Sequence, residues 1–386
     1  MHRISDEQRR IRLGRRHLLA PSVRADSPVA VADAVVALHA TDASTVFLSA
    51  CARLGEPSVA AVERSLYEDV ALVRLLSMRR TLFAVSAELA PYVDASTARA
   101  IAVKERRTLI DHLTDDVNGL DERWLAEAEE AALAALATRG SATGSQLSAD
   151  VPALRTKITV FPGKKHETVQ GVASRVIRVL AADGRIRRDR PRGSWTSSQF
   201  HWTASEPWPA LPAAEARAEL ARHWLLSYGP ATEADLKWWM GWTLGDVRKA
   251  LAAVGAEEVV LDEGTGYVAP GDMAPEPPVE PWAALLPALD PSAMGWGDRG
   301  FHLSADHRTA LFDRSGNVGP TVWWNGQIIG GWAQRTDGNI VWRLLTDPSG
   351  EAAATIEAEA SRLSGWVGEA RITPRFRTPL ERELTA

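Results

Sequence analysis

Residues 168–203, TVQGVASRVIRVLAADGRIRRDRPRGSWTSSQFHWT, carry the pattern that decides the fold. Val169, Val172, Val176 and Val179 or Leu180 recur at three- and four-residue spacing, which predicts a helix with one apolar stripe. Arg175 and Arg178 project from another face of that helix. Asp183-Gly184 ends it, and Arg185, Arg187 and Arg188 lead into a tight turn at Arg190-Pro191-Arg192-Gly193. From Trp195 to Thr203 the chain reads as a strand, with Phe200 and Trp202 alternating as on a half-buried sheet. Helix, basic strand, turn and aromatic strand in this order spell a winged helix with a cationic wing. Between Arg155 and Gly193 there are eleven Lys or Arg against three acids, so the natural partner is a polyanion.

The pattern returns downstream. Pro207, Pro209 and Pro212 form a linker, Ala213 to Tyr228 reads as a helix, and Gly229-Pro230 breaks it. Thr232 with Asp235 caps a helix bearing Trp238 and Trp239, and Thr243 to Val254 is another. Val259 to Leu261 and Tyr267-Val268 then flank Glu263-Gly264-Thr265-Gly266 as a second, acidic wing. After a linker at Pro270 to Pro281 the chain turns β-rich: Asn325-Gly326 between Thr321–Trp324 and Gln327–Ile329 is a type I′ hairpin signal. Asp337-Gly338 introduces a third strand, Glu351 to Leu363 a closing helix, and Arg371, Arg375 and Arg377 a basic tail.

Upstream, Ser5 to His17 is arginine-rich and Asp33 to Ala40 is a short apolar element. Ser58 to Tyr67 is an amphipathic helix, and Leu72 to Val85 forms apolar segments interrupted by Met78-Arg79-Arg80. A long helix ending near Asp115 follows, then an alanine-rich one from Asp121 to Thr138, with Ser141 predicted to cap the next. All fifteen Trp lie after residue 123, so Leu, Val and Ala pack the N-terminal part. The resulting division is 1–139, a helical or winged-helix region; 140–206, a winged helix with a basic wing; 207–270, a third; and 271–386, β-rich.

The 386 residues allow two to four domains, and 45% apolar with 24% charged residues describe an ordinary soluble protein. A single cysteine, Cys51, excludes an internal disulfide. With no apolar run near membrane-spanning length and no signal-like segment, no membrane partner is expected and a cytoplasmic location is the default. The net charge of −5 is unevenly spread: residues 1–205 carry 29 basic and 24 acidic side chains, the remainder 15 and 25. Phosphate binding depends on the local patch, so the acidic total does not exclude it.

Most catalytic signatures are absent. Phe161-Pro162-Gly163-Lys164-Lys165 lacks the spacing of a phosphate-wrapping loop and reads as a basic loop. His166-Glu167 has Gln170 where a zinc protease needs its second histidine, so no metal and no cofactor is expected. What remains is Leu38-His39-Ala40-Thr41-Asp42. In an extended segment residues two apart share a face, so His39 and Thr41 point into one cleft. Imidazole can position or deprotonate water, and the hydroxyl can orient it. The competing reading is structural: a buried histidine before a helix capped by Thr41 or Asp42. On the basic side, Arg79 and Arg80 are candidates for phosphates near a reacting group, and Arg187, Arg188, Arg190 and Arg192 are the foremost phosphate contacts. Asp298-Arg299 reads as an internal ion pair.

Several segments, in order, resemble the winged-helix DNA glycosylase superfamily of AlkZ and YcaQ. They are Val35–Asp42, Met78–Val85, Gly229–Asp235, Leu285–Asp290 and Asp298-Arg299. The resemblance runs through most of the chain. It implies a helix-rich α+β fold of tandem winged-helix modules forming a concave surface, and metal-independent, monofunctional excision of alkylated purines from double-stranded DNA. The superfamily's catalytic motif, Gln-apolar-Gln or Gln-apolar-Asp, falls here on His39-Ala40-Thr41. His39 would then position water, Thr41 support it and Asp42 stabilise the oxocarbenium-like sugar, while Arg79, Arg80, Arg175, Arg178, Arg187, Arg188, Arg190 and Arg192 hold the duplex. The changed motif also admits a non-catalytic DNA binder, either a regulator or a damage sensor.

Overall fold

A computed structural model describes residues 2–386, a helix-rich α+β fold. The helix at the heart of the deciding stretch spans Ala173–Ala182 and buries Val176, Ile177, Val179 and Leu180. It starts later than the valine spacing predicts, because Thr168–Gly171 is instead a strand paired with Lys157–Val160, which leaves Val169 exposed. Gly184, at φ 73°, supplies the left-handed residue that ends it. The basic strand Ile186–Pro191 pairs antiparallel with Phe200–Ala204. The connection between them is longer than the predicted four-residue turn: Trp195 lies in it, buried between Phe47 and Trp366 at ring distances of 5.3 and 6.1 Å. Hydrophobic burial of that indole pulls the loop off the strand path.

One order of elements occurs three times: helix, short strand, two helices, then two antiparallel strands, with the short strand hydrogen-bonded to the last one. In the first, Pro28–Ala34 leads to Leu38–His39, Ala43–Arg53, Val59–Glu63 running on through Arg64–Glu68, and the hairpin Leu72–Ser77 and Thr81–Ser86. In the second, Glu122–Arg139, Ser141–Ala142, Gly144–Asp150 and Ala173–Ala182 precede the hairpin just described. Ser141 lies in the strand rather than capping the helix. Thr143 is the cap, reciprocated by Gln146 three residues on. In the third, Ala213–Tyr228 is followed by an isolated bridge from Ala231 to Tyr267, then Glu233–Met240, Leu244–Val254 and the hairpin Glu257–Leu261 and Gly264–Val268. Thr232 and Asp235 form the predicted capping box of Glu233–Met240.

The C-terminal sheet is an antiparallel meander of Ala283–Leu286, Thr321–Trp324, Gln327–Gln334 and Ile340–Leu344. Asn325 and Gly326 turn its central hairpin with φ of 46° and 82°, the two positive values a type I′ turn demands. Helix Gly350–Val367 packs against this sheet.

These parts meet around one buried ion pair. Arg53 and Asp290 are both fully buried, and the guanidinium grips both carboxylate oxygens at 2.7 and 2.9 Å. Its remaining donors reach His17 O, Ser49 O and Ser292 Oγ, so all five N–H groups are satisfied. Ser49 Oγ and Ser292 N donate to the same carboxylate, and Ser292 Oγ contacts His17 Nδ1 at 2.8 Å. The network joins the N-terminal helix Asp6–Arg16, through its cap His17, to the first repeat and to the connection between the first two strands of the C-terminal sheet. Removing one member strands a charge in a medium that cannot solvate it. We predict that Asp290→Ala lowers unfolding free energy by about 3–5 kcal/mol, measured by chemical denaturation. A loss below about 1 kcal/mol, the range of exposed pairs, would contradict it.

Candidate nucleic-acid interface and motif site

The first hairpin faces helix Ala173–Ala182 and the basic strand of the second repeat across a cleft of about 860 Å³. Six arginines line it, Arg74, Arg79, Arg80, Arg178, Arg187 and Arg188, against one acid, Glu105. Arg74 escaped the sequence reading because it stands alone on its strand. The register puts it opposite Ala84, on the face from which Leu76 and Leu82 also reach the cleft. Arg80 and Arg178 share Glu105, so one carboxylate serves two cations. Arg188 lies over Phe200 at 3.9 Å and near Trp202 at 5.9 Å. Burial, with Arg74 and Arg375 close by, lowers its pKa to about 10. Such a surplus of crowded cations is electrostatically costly until an anion enters.

Three predicted phosphate contacts do not join this group. Arg175 turns to Gln170 and His112. Arg190 is held by Glu63 and Glu68, which docks the basic strand onto the first repeat. Arg192 is exposed beside the left-handed Gly193 at the tip of the hairpin. Arg79 stands apart for another reason: its guanidinium covers Trp238 at 4.1 Å, linking the first hairpin to the third repeat. Gly241 ends the helix carrying Trp238 at φ 73°, and a Cβ there would come within 3.2 Å of Arg79 N. Asp298 and Arg299 do not form the expected ion pair. Arg299 donates to the carbonyls of Ala293 and Gly297 and also covers Trp238, while Asp298 accepts from Gly300 N.

The motif residues sit on the other side of the first sheet. His39 pairs with Phe83, so both side chains leave by the face opposite Arg74 and Leu82, and their rings meet at 4.9 Å. His39 is only 4% exposed. Burial, with the nearby Arg79 charge, lowers its pKa to about 3. Thr41 N donates to His39 Nδ1 at 3.4 Å, which leaves the proton of the neutral ring on Nε2. Thr41 and His39 are thus brought together through the backbone. The Thr41 hydroxyl is buried without a partner among the described residues. Asp42 is a helix cap: Oδ1 accepts from Ser44 N and Oγ, and Oδ2 from Arg375 N. The extended segment expected across His39 to Thr41 is shorter, because the strand ends at His39 and the chain turns to start a helix. So weak a base cannot deprotonate water near neutral pH, but its Nε2–H can orient one.

The sequence profile of the AlkZ-like DNA glycosylases matches residues 32–366. The chain belongs to that family. The fold is similar to that of the DNA glycosylase AlkZ of Streptomyces sahachiroi, with a TM-score of 0.69 at 20% identity, covering 97% of this chain and 99% of that one. No match was found among curated protein sequences. Among the described residues no helix is long and apolar enough to cross a membrane, and no cluster of three or more His, Cys, Asp or Glu is arranged to hold a metal ion.

Two outcomes follow from this geometry. Unfolded, an imidazole takes up a proton below about 6.5, whereas folded His39 resists until about 3. Its contribution to stability is thus complete above 6.5 and lost as pH falls through that window. We predict that His39→Gln flattens the acid loss of stability by about 1.4 kcal/mol per pH unit there, read by denaturation at several pH values. An unchanged slope contradicts the assigned burial. For the cleft, Arg187→Gln with Arg188→Gln is expected to flatten the salt dependence of DNA binding by about two in log–log slope. An unchanged slope would remove the cleft from the interface.

Proposed function

We propose that this AlkZ-like protein is a metal-independent, monofunctional DNA glycosylase that hydrolyses the N-glycosidic bond of alkylated purines in duplex DNA in the cytoplasm. The observation that carries the reading is the six-arginine cleft joined, through Arg79, to a motif segment at the family's catalytic position. The three repeats are read as winged-helix modules, within the divisions 1–139, 140–206 and 207–270, whose curvature gathers those arginines along one concave path. Arg74, Arg80, Arg178, Arg187, Arg188 and Arg192 contact phosphates, and Arg79 holds the backbone nearest the lesion. A purine alkylated at N7 or N3 is cationic and leaves readily, so little acid catalysis is needed. His39 then acts by donating its Nε2–H to the attacking water and Thr41 by offering its unpartnered hydroxyl to the same water. Asp42, spent on the helix cap, influences the sugar through charge alone.

A second reading, a non-catalytic damage binder, is favoured by the burial of His39 and by its placement on the sheet face away from the cleft. Duplex DNA carrying N7-methylguanine separates the two. Release of free base that falls at least a hundredfold in His39→Ala, with DNA binding retained, is the expected result. Salt-sensitive binding without release of base by the wild type would replace the enzyme with the binder.

A further inference from the structure

A second hollow, of about 1150 Å³, opens in the C-terminal region between residues 308–316 and the tail from Arg375. Four arginines on its walls, Arg308, Arg314, Arg375 and Arg382, are exposed. Within 4 Å none of them meets a carboxylate among the described residues. The two acids in the hollow are already engaged. Asp313 accepts from the backbone and side chain of Asn317 and from Ser315 N, and Glu383 pairs with Arg343. Apolar rings lie beneath the cations, with Arg308 5.3 Å from Phe312 and Arg375 5.7 Å from Phe376. Exposed arginines over aromatic rings, with the local acids tied up, form a surface for a polyanion.

The hollow shares no lining residue with the arginine cleft but lies close to it. Arg375 is near enough to Arg188 to contribute to its lowered pKa, and Arg308 does the same to Arg299. Arg375 N also donates to Asp42, which fixes the tail against the motif segment. A rod of phosphates lying in the cleft would meet these arginines next. An acidic protein would have to match that line by chance, whereas a duplex extends along it by its own geometry.

We propose that this C-terminal hollow is a second phosphate-binding surface, which holds the arm of duplex DNA beyond the cleft. It rests on the reading of the chain as a DNA binder but not on catalysis. The test is the salt dependence of binding to undamaged duplexes of two lengths, for the wild type, Arg308→Gln/Arg314→Gln and Arg187→Gln/Arg188→Gln. Neither Arg308 nor Arg314 makes a side-chain hydrogen bond that folding would miss, and thermal denaturation checks that the variant is folded. On the long duplex the Arg308/Arg314 variant should lose about 1.8 from the log–log slope, so that raising salt from 50 to 200 mM weakens it roughly tenfold less than the wild type. On a duplex too short to span both surfaces the variant should match the wild type. Unchanged long-duplex binding in this variant, with the slope lost in Arg187→Gln/Arg188→Gln, overturns the hollow and leaves the cleft standing. A wild type that binds no duplex overturns both. A wild type that binds but releases no base leaves this proposal intact.

Discussion

The molecule is organised by the ion pair of Arg53 and Asp290, which no solvent reaches. Two charges taken out of water are tolerated only when every donor and lone pair has a partner, and here His17, Ser49 and Ser292 complete the set. That requirement fixes the distance between the N-terminal helix, the first repeat and the C-terminal region. It acts at long range in sequence, since the partners lie 237 residues apart. The same neighbourhood anchors the motif: helix Ala43–Arg53 begins at the Asp42 cap and ends at Arg53. A displacement of the pair would carry His39-Ala40-Thr41 with it.

Around this fixed centre the charges are sorted by whether the fold uses them. Arg190, Arg106 and Arg16 are consumed by carboxylates and hold elements together. Arg187, Arg188, Arg308 and Arg314 have no carboxylate within 4 Å among the described residues, and they gather in the two hollows. A chain of net charge −5 can thereby present a strongly positive path. Its acids are spent locally, on caps such as Asp42 and Asp235 and on pairs such as Glu383, rather than spread as a repulsive field.

Periodicity revealed the elements well where one physical signal dominated. The Asn325-Gly326 turn, the Thr232 capping box and the helices Ala213–Tyr228 and Glu122–Arg139 follow local chemistry and stand where the sequence puts them. Trp195 and Val169 do not: one is drawn away by a distant aromatic cluster, the other by a strand partner at Thr159. The site was legible in composition and less so in direction. An arginine count locates a basic strand, but only the pairing of its neighbours shows that Arg190 is spoken for and that the isolated Arg74 faces the cleft. For His39, spacing gave the shared segment with Thr41, while the face it occupies follows from its pairing with Phe83.

The central claim is that duplex DNA lies across the arginine cleft and presents a damaged nucleotide to the His39 segment. A structure of the protein bound to duplex DNA containing a stable abasic-site analogue tests it most directly. The account predicts phosphates against Arg187 and Arg188, with the sugar of the analogue in reach of His39 Nε2. A duplex seated elsewhere, or a sugar separated from His39 by the intact first sheet, would contradict it.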